Sequence, residues 1–308
     1  MELTQAKPIE LGDKELFDKF FKIYPPEMSE FTFTNLFMWR NFYNFLFIES
    51  SEHLILFSRE YFKKHMPLSP LNKENLFFLP PIGPNPVELM IQIFETFTEA
   101  EFHRIPQKFV EKLTNHHKFP SLNLKIVEDR NNWDYVYEVE NLKILPGNRY
   151  RQNRRWLKKF TDNYVFEFQI ISEELIDKVK KLQKEWWLLR GGEEDSALEE
   201  EQKAIYEALD NFTTLKFKGA LLYCDQKCAA YTFGEMLNST TLVIHIEKAH
   251  MEYEGAYQAI NNLFVKNCCE NVILVNREQD LGISGLRRAK ESYKPTRMIE
   301  KSIIFRKQ

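Results

Sequence analysis

Val272-Ile-Leu-Val-Asn-Arg-Glu-Gln-Asp-Leu-Gly-Ile-Ser-Gly-Leu-Arg-Arg-Ala-Lys-Glu-Ser-Tyr-Lys-Pro295 joins a short apolar run to a block of polar residues and then to a cationic helix. Val272 to Asn276 predicts a buried strand, since apolar β-branched residues dominate it. Asn276, Arg277, Glu278, Gln279 and Asp280 follow without a break, and Gly282 turns the chain. Ser284 to Tyr293 then predicts a helix carrying Arg287, Arg288 and Lys290. Polar groups at the end of a buried strand must find partners, so such a strand end marks a candidate site. A surface turn with a charged helix face is the alternative reading of the same residues.

Upstream of this stretch, Leu175 to Arg190 has helical spacing in Leu175, Ile176, Val179, Leu182, Trp186 and Leu189, and Gly191-Gly192 ends it. Ser196-Ala-Leu-Glu199 reads as a capping box opening a helix through Leu209. Strands are expected at Leu215 to Tyr223, Cys228 to Leu237 and Thr240 to Glu247, with turns at Asp225-Gln226 and Asn238-Ser239. A helix from about Gly255 to Cys268 leads into the strand at Val272, and a last strand runs from Met298 to Phe305.

Helix, helix, three antiparallel strands, helix, strand, helix, strand is an order that resembles the Gcn5-related N-acetyltransferase (GNAT) fold. The first half repeats it. Helices are expected at Asp13 to Tyr24, Phe31 to Asn41, Val87 to Thr98 and Gln107 to Asn115. Strands are expected at Phe45 to Glu49, His53 to Ser58, Leu76 to Leu79, Phe102 to Ile105, Leu124 to Glu128 and Tyr135 to Val139. The expectation is an α+β chain of two tandem GNAT-like domains, residues 1–145 and 146–308, joined near Asn141 to Arg151 with Pro146-Gly147 as a hinge or turn. Each would be a mixed, mainly antiparallel sheet flanked by helices.

The chain has 308 residues, 44% hydrophobic and 14% aromatic, which is ample for packed cores. A formal charge of −3 gives no general attraction to duplex phosphate, so any nucleic-acid contact needs a local basic patch. Cys224, Cys228, Cys268 and Cys269 fit neither a disulfide framework nor a zinc spacing, the seven His show no metal pattern, and no metal is expected. No secretory leader or membrane span is read in the chain, so the expected setting is cytoplasmic, with peripheral attachment at a membrane left open.

In a GNAT-like sheet the strands part beside the fourth strand, and the gap receives the acyl donor. Here Thr241 to Glu247 and Val272 to Asn276 would flank that gap. Glu247, Glu278 and Asp280 are the candidate catalytic carboxylates, able to hold an ammonium group or take a proton. Asn276, Arg287, Lys290, Tyr293 and Lys248 are candidate substrate-binding residues. Pairing of the carboxylates with Arg277, Arg287 or Lys290 is the structural alternative. His245 is read as a cleft-wall histidine. The loop Lys248 to Tyr257 has Gly255 alone, with Glu252 and Glu254 beside it, a poor cradle for the pyrophosphate of CoA. Arg149, Tyr150, Arg151, Arg154 and Arg155, with Lys158, Lys159 and Trp156, form the strongest basic cluster. It is a candidate tRNA or phosphate surface, or else a solvated helix face.

Glu30-Phe-Thr-Phe-Thr-Asn-Leu-Phe-Met-Trp39, Asp134-Tyr-Val-Tyr137, Leu145-Pro-Gly-Asn-Arg-Tyr-Arg151, Ile246-Glu-Lys-Ala249 with Gly255 to Ile260, and Asn276 to Gly282 with Leu286 to Pro295 together carry a family resemblance. They are similar to a bacterial domain family of unknown function allied to the C-terminal catalytic region of phosphatidylglycerol lysyltransferases. The resemblance implies a tandem acyltransferase-like fold, shared with Fem-type transferases. It also implies aminoacyl transfer from aminoacyl-tRNA, with no bound cofactor, to a lipid, peptide or amine acceptor. Anionic lipid or a small amine would then be partners. An acyl-CoA-dependent N-acyltransferase and a non-catalytic sensor on the same scaffold remain the alternatives.

Overall fold

The computed structural model describes residues 3–50, 52–65, 74–224 and 227–307. The expected turn at Asp225-Gln226 lies outside the described residues. The chain forms two units, one of Met1–Asp134 with Ile299–Gln308 and one of Tyr135–Met298. In the first, the elements are β1 (Lys7–Pro8), α1 (Lys14–Ile23), α2 (Phe33–Tyr43), β2 (Leu46–Ser50), β3 (His53–Ser58), α3 (Tyr61–His65), β4 (Leu76–Phe78), α4 (Pro86–Thr96), β5 (Ala100–Pro106), α5 (Gln107–Thr114) and β6 (Leu124–Glu128). Then come β7 (Asp134–Glu138), α6 (Val139–Ile144), α7 (Arg151–Asn163), β8 (Phe166–Ile170), α8 (Ile176–Leu189), α9 (Ser196–Asp210) and α10 (Phe212–Leu215). The meander β9 (Lys218–Cys224), β10 (Lys227–Met236) and β11 (Thr241–Ala249) precedes α11 (Ala256–Cys268), β12 (Leu274–Asn276), α12 (Ser284–Ser292), β13 (Arg297–Ile299) and β14 (Lys301–Arg306).

Two seven-stranded sheets result, ordered β1-β2-β3-β4-β5-β14-β6 and β13-β7-β12-β11-β10-β9-β8. Each has one parallel junction at its centre, β4 with β5 and β11 with β12, and the other registered pairs are antiparallel. The expected α+β class and the tandem mixed sheets are what the structure has. Packing follows the sequence pattern. On α8, Ile176, Val179, Leu182 and Trp186 recur at helical spacing and are all buried. The capping box expected at Ser196 is displaced by one residue: Asp195 is the N-cap, and its carboxylate accepts from the amides of Ala197 and Leu198.

The division differs from a cut at residue 145 in a specific way. The strand Tyr135 to Val139, expected in the first half, is β7, and it pairs with β12 inside the second sheet. The terminal strand expected in the second half breaks into β13 and β14, and β14 inserts between β5 and β6 of the first sheet. Pro146-Gly147 falls inside the second unit, between α6 and α7, instead of joining two domains. Local periodicity identifies a strand but carries no information about which sheet it completes.

A buried charge network marks where the chain leaves the first unit and where it returns. Lys301 Nζ lies 2.6 Å from Asp134 Oδ1, and both side chains are wholly buried. Glu30 is 2.7 Å from the same ammonium. Ser29 donates to Asp134 through its amide (2.8 Å) and hydroxyl (2.9 Å). Arg104 extends the network to Asp129 at 2.6 Å and to Glu30 at 3.4 Å. Replacing Lys301 by Met would strand two buried carboxylates, so the expected loss of stability is about 3–5 kcal/mol. Urea unfolding of Lys301→Met measures it, and Lys301→Met/Asp134→Leu should recover part of the loss. A single-variant loss under about 1 kcal/mol would refute this role for the pair.

Candidate functional site

The second unit's parallel junction is short. Thr241, Leu242 and Val243 of β11 pair with Leu274, Val275 and Asn276, where β12 ends, while β11 continues alone on that edge to Ala249. On its other edge β11 is bulged: Phe233 pairs with Ile246 and Gly234 with Ile244, leaving His245 as the extra residue. Gly234 is required there, since a Cβ would collide with the Val243 carbonyl. The parting strands and the bulge together direct side chains of β11 toward the segment after β12.

Glu247 and Arg277 meet across the opening, Oε1 to Nη2, at 2.8 Å. Asn261 of α11 donates to the other oxygen of Glu247 at 2.9 Å. The Arg277 guanidinium also lies over the rings of Tyr293 (4.7 Å) and Tyr137 (5.7 Å). Burial pushes the Tyr293 phenol up to about 12, against the pull of Arg277, so it stays a neutral donor. Two atoms of this cluster are buried and lack a hydrogen-bond partner: Arg277 Nη1, a donor, and Asn261 Oδ1, an acceptor. Buried polar atoms are rarely left so, and here a donor and an acceptor flank one carboxylate.

His245 carries a second cluster. Its Nδ1 is 2.7 Å from Glu278 and its Nε2 is 3.0 Å from Glu235. Burial opposes the charged imidazolium, but the two carboxylates prevail and lift its pKa to about 9. At neutral pH the group is an imidazolium between two carboxylates, with net charge −1.

The loop between β12 and α12 is built around its own polar residues. Asn276 accepts from the Glu278 amide at 2.8 Å, and Glu278 takes a left-handed φ of 57°. Asp280 is wholly buried. It accepts from Tyr135 Oη (2.6 Å), the Gly282 amide (2.8 Å) and both Nε (2.8 Å) and Nη2 (2.9 Å) of Arg287. Burial raises the Asp280 carboxyl, but these donors together hold it well below the usual carboxylate range. Lys290 is buried and donates to the carbonyls of Arg277 and Gln279, while its own carbonyl accepts from Tyr137 Oη at 2.8 Å. Asp280, Arg287 and Lys290 thus hold the loop, and Glu247 and Glu278 line the opening.

Lys248 sits apart from Glu247. Its ammonium is 2.7 Å from Glu201 and 3.7 Å from the centre of the Trp186 ring, and burial lowers its pKa. Trp186 in turn donates to Tyr257 Oη at 3.1 Å.

The segment before α11, where a pyrophosphate cradle would lie, is covered by α7. A Cβ on Gly255 would strike the Trp156 carbonyl. Lys159 pairs with Glu254 at 2.5 Å, and the Glu254 amide donates to Tyr164 Oη at 3.3 Å. The basic cluster divides as well. Arg149, Arg151 and Arg155 are exposed. Arg154 folds back onto the carbonyls of Leu145 and Gly147, capping the end of α6. Tyr150 is wholly buried in the core and presents no ring for stacking.

The sequence marks His245 as a cleft-wall residue and Arg277 as a pairing partner for the carboxylates, a pairing the structure has with Glu247, and it does not single out Asn261, Glu235 or Tyr135. Arg277 stood inside the polar run, and Asn261-Asn262 interrupts the apolar face of α11, so a signal existed for both. Glu235 and Tyr135 reach the site through pairing that no local pattern discloses. The raised His245 pKa has a testable sign. The interaction contributes fully below the unfolded value of about 6.5 and is lost as pH rises through about 9. The wild type should lose stability across that interval, whereas His245→Gln should be flatter there. Parallel pH profiles would discredit the imidazolium pair.

The fold places this chain among known structures. A conserved protein of unknown function from Bacteroides thetaiotaomicron matches at TM-score 0.86 and 26% identity, over 98% of this chain and 99% of that one. L-PGS from Bacillus licheniformis matches at TM-score 0.66 and 14% identity, over 100% and 95%. FemX matches at TM-score 0.58 and 9% identity, over 99% and 98%. An uncharacterized protein of Mycoplasmoides gallisepticum is 24% identical over 177 residues, 56% of this chain, which spans only 55% of that protein's length. The family described as phosphatidylglycerol lysyltransferase, C-terminal, matches residues 21–305, and the chain belongs to that family.

Proposed function

We propose that the protein is an aminoacyltransferase that moves an amino acid from aminoacyl-tRNA to a lipid, peptide or amine acceptor. The observation that carries the reading is the Glu247–Arg277–Asn261 cluster in the opening between β11 and β12, with its unpartnered donor and acceptor. The ester of an aminoacyl-tRNA is already activated, so the protein has only to align the two substrates and move one proton. Glu247 accepts the proton of the attacking hydroxyl or amine, and Arg277 Nη1 faces the carbonyl oxygen as charge develops on it. The new bond forms at the carbonyl carbon, the ester bond to the ribose breaks, and the proton passes to the departing ribose hydroxyl. The net-negative His245, Glu235 and Glu278 group offers a place for the amino acid's ammonium. Asp280, Arg287 and Lys290 position the loop, and exposed Arg149, Arg151 and Arg155 meet the tRNA phosphates. The covered segment before α11 favours this donor over acyl-CoA.

A sensor on the same scaffold is the second reading, and one observation favours it: Glu247, Glu278 and Asp280 each already have internal partners.

The test is transfer of radiolabelled amino acid from a panel of aminoacyl-tRNAs to phospholipid, peptide and amine acceptors. Glu247→Gln should lower kcat by roughly 100-fold or more. Activity with acyl-CoA instead, or unchanged turnover in Glu247→Gln, would reject the assignment. In a salt series, Arg149→Ser/Arg151→Ser/Arg155→Ser should flatten the slope of log affinity for tRNA by about 2 to 3. An unchanged slope would take the tRNA off this surface.

A further inference from the structure

The two sheets end in four edge strands, and three of them are guarded. β1 has two residues, one of them a proline, β13 has three, and β6 carries Lys125 and ends on Glu128. β8 is different. Its five residues, Phe166-Glu-Phe-Gln-Ile170, include neither lysine nor proline, and it pairs with β9 on one side alone. Val165, just before it, is 85% exposed, the most exposed large apolar side chain among the described residues, and Ile170 at its end is 52% exposed. An unguarded apolar edge is a template for another strand.

The register on β9 fixes what this edge offers. The Ile171 amide donates to the Gly219 carbonyl at 2.8 Å, so the odd-numbered residues are the ones that hydrogen-bond to β9. The N–H and C=O groups of Phe166, Phe168 and Ile170 therefore point outward along the open edge. Their side chains share one face of the strand, where Phe166 and Phe168 pack on the core and the Phe166 ring lies 5.2 Å from that of Phe160. Glu167 and Gln169 share the other face, and the Gln169 amide donates to Glu167 Oε2 at 3.2 Å.

Such a strand is complementary to itself. In an antiparallel pair centred on Phe168, the two Phe168 residues exchange both backbone hydrogen bonds, and Phe166 of each copy faces Ile170 of the other. On the opposite face each Glu167 meets a Gln169 amide, an acceptor against a donor. Centring the pair on Glu167 would set like charges together, and the same operation on β6 about Ile126 would oppose Leu124 to Glu128 and Lys125 to Val127. We propose that the protein forms a two-fold dimer through β8, which joins the second sheets of two copies into one continuous antiparallel ladder. The contact is small, so the dimer is weak, with a dissociation constant of about a micromolar or more. It does not depend on aminoacyl transfer.

Sedimentation velocity over a concentration series reaching hundreds of micromolar tests it. The wild type should pass from monomer to dimer. Gln169→Glu, which sets two carboxylates against Glu167 of the other copy, should weaken association roughly tenfold. Gln169→Lys, which makes those contacts ion pairs, should tighten it several-fold, and high salt should erase the gain. Ile170→Pro removes an edge-facing N–H that β9 does not use and should leave a monomer that melts like the wild type. If that variant melts early, the opposite shifts of the two Gln169 variants decide. A wild type that stays monomeric throughout, or a dimer that neither Gln169 variant shifts, would overturn the proposal.

Discussion

Everything in the first sheet downstream of β5 depends on one ion pair closed over a long stretch of chain. Asp134 is the last residue before the chain enters the second unit, and Lys301 lies just after its return. A buried ammonium against a buried carboxylate is tolerable only when the geometry is good and the remaining hydrogen-bonding capacity is filled. Ser29 and Glu30 fill it. The pair thereby discriminates: β14 sits correctly between β5 and β6 only when Lys301 reaches both carboxylates, and a slip of one residue would turn the ammonium toward the opposite face.

The second unit uses the same electrostatic logic at an opening instead of a seam. Its parallel junction stops after three residue pairs, and the gap is bridged by side chains alone. Glu247 with Arg277 and His245 with two glutamates are pairs whose strength rises because water is largely excluded, while buried Asp280 pairs with a partly exposed Arg287. Such pairs fix side-chain directions before a substrate arrives. The same fixity means that a substrate must offer better partners than those already present, so charge complementarity governs what enters.

Much of this was legible in the sequence. The meander, the helices α8 and α11, and the polar run after β12 all follow from periodicity and turn residues, and two of the three candidate carboxylates, Glu278 and Asp280, lie in that run. The exchange of β7 and β14 was not legible, because β-branched and aromatic residues specify a strand and leave its sheet open. The inclusion of Tyr150 in a phosphate surface rested on the arginines around it, and its burial in the core removes it from that surface. Arg154 misled for a related reason: in a run of cations, nothing local distinguishes the one that turns back to cap a helix from those that face solvent.

The strand exchange also sets an order in time. The first sheet lacks the strand that joins β6 to β5 until Lys301 to Arg306 have been synthesised, 166 residues after the chain has left that unit at Asp134. At ordinary translation rates that is a delay on the order of ten seconds or more. Throughout it, β5 and β6 expose unpaired edges that must be shielded from other chains. In the second unit β7 also waits for β12, from Glu138 to Leu274, but that unit is the unbroken stretch from Tyr135 to Met298. Only the first unit depends on a segment made after the other unit, so loss of residues 301–306 would damage the half made first.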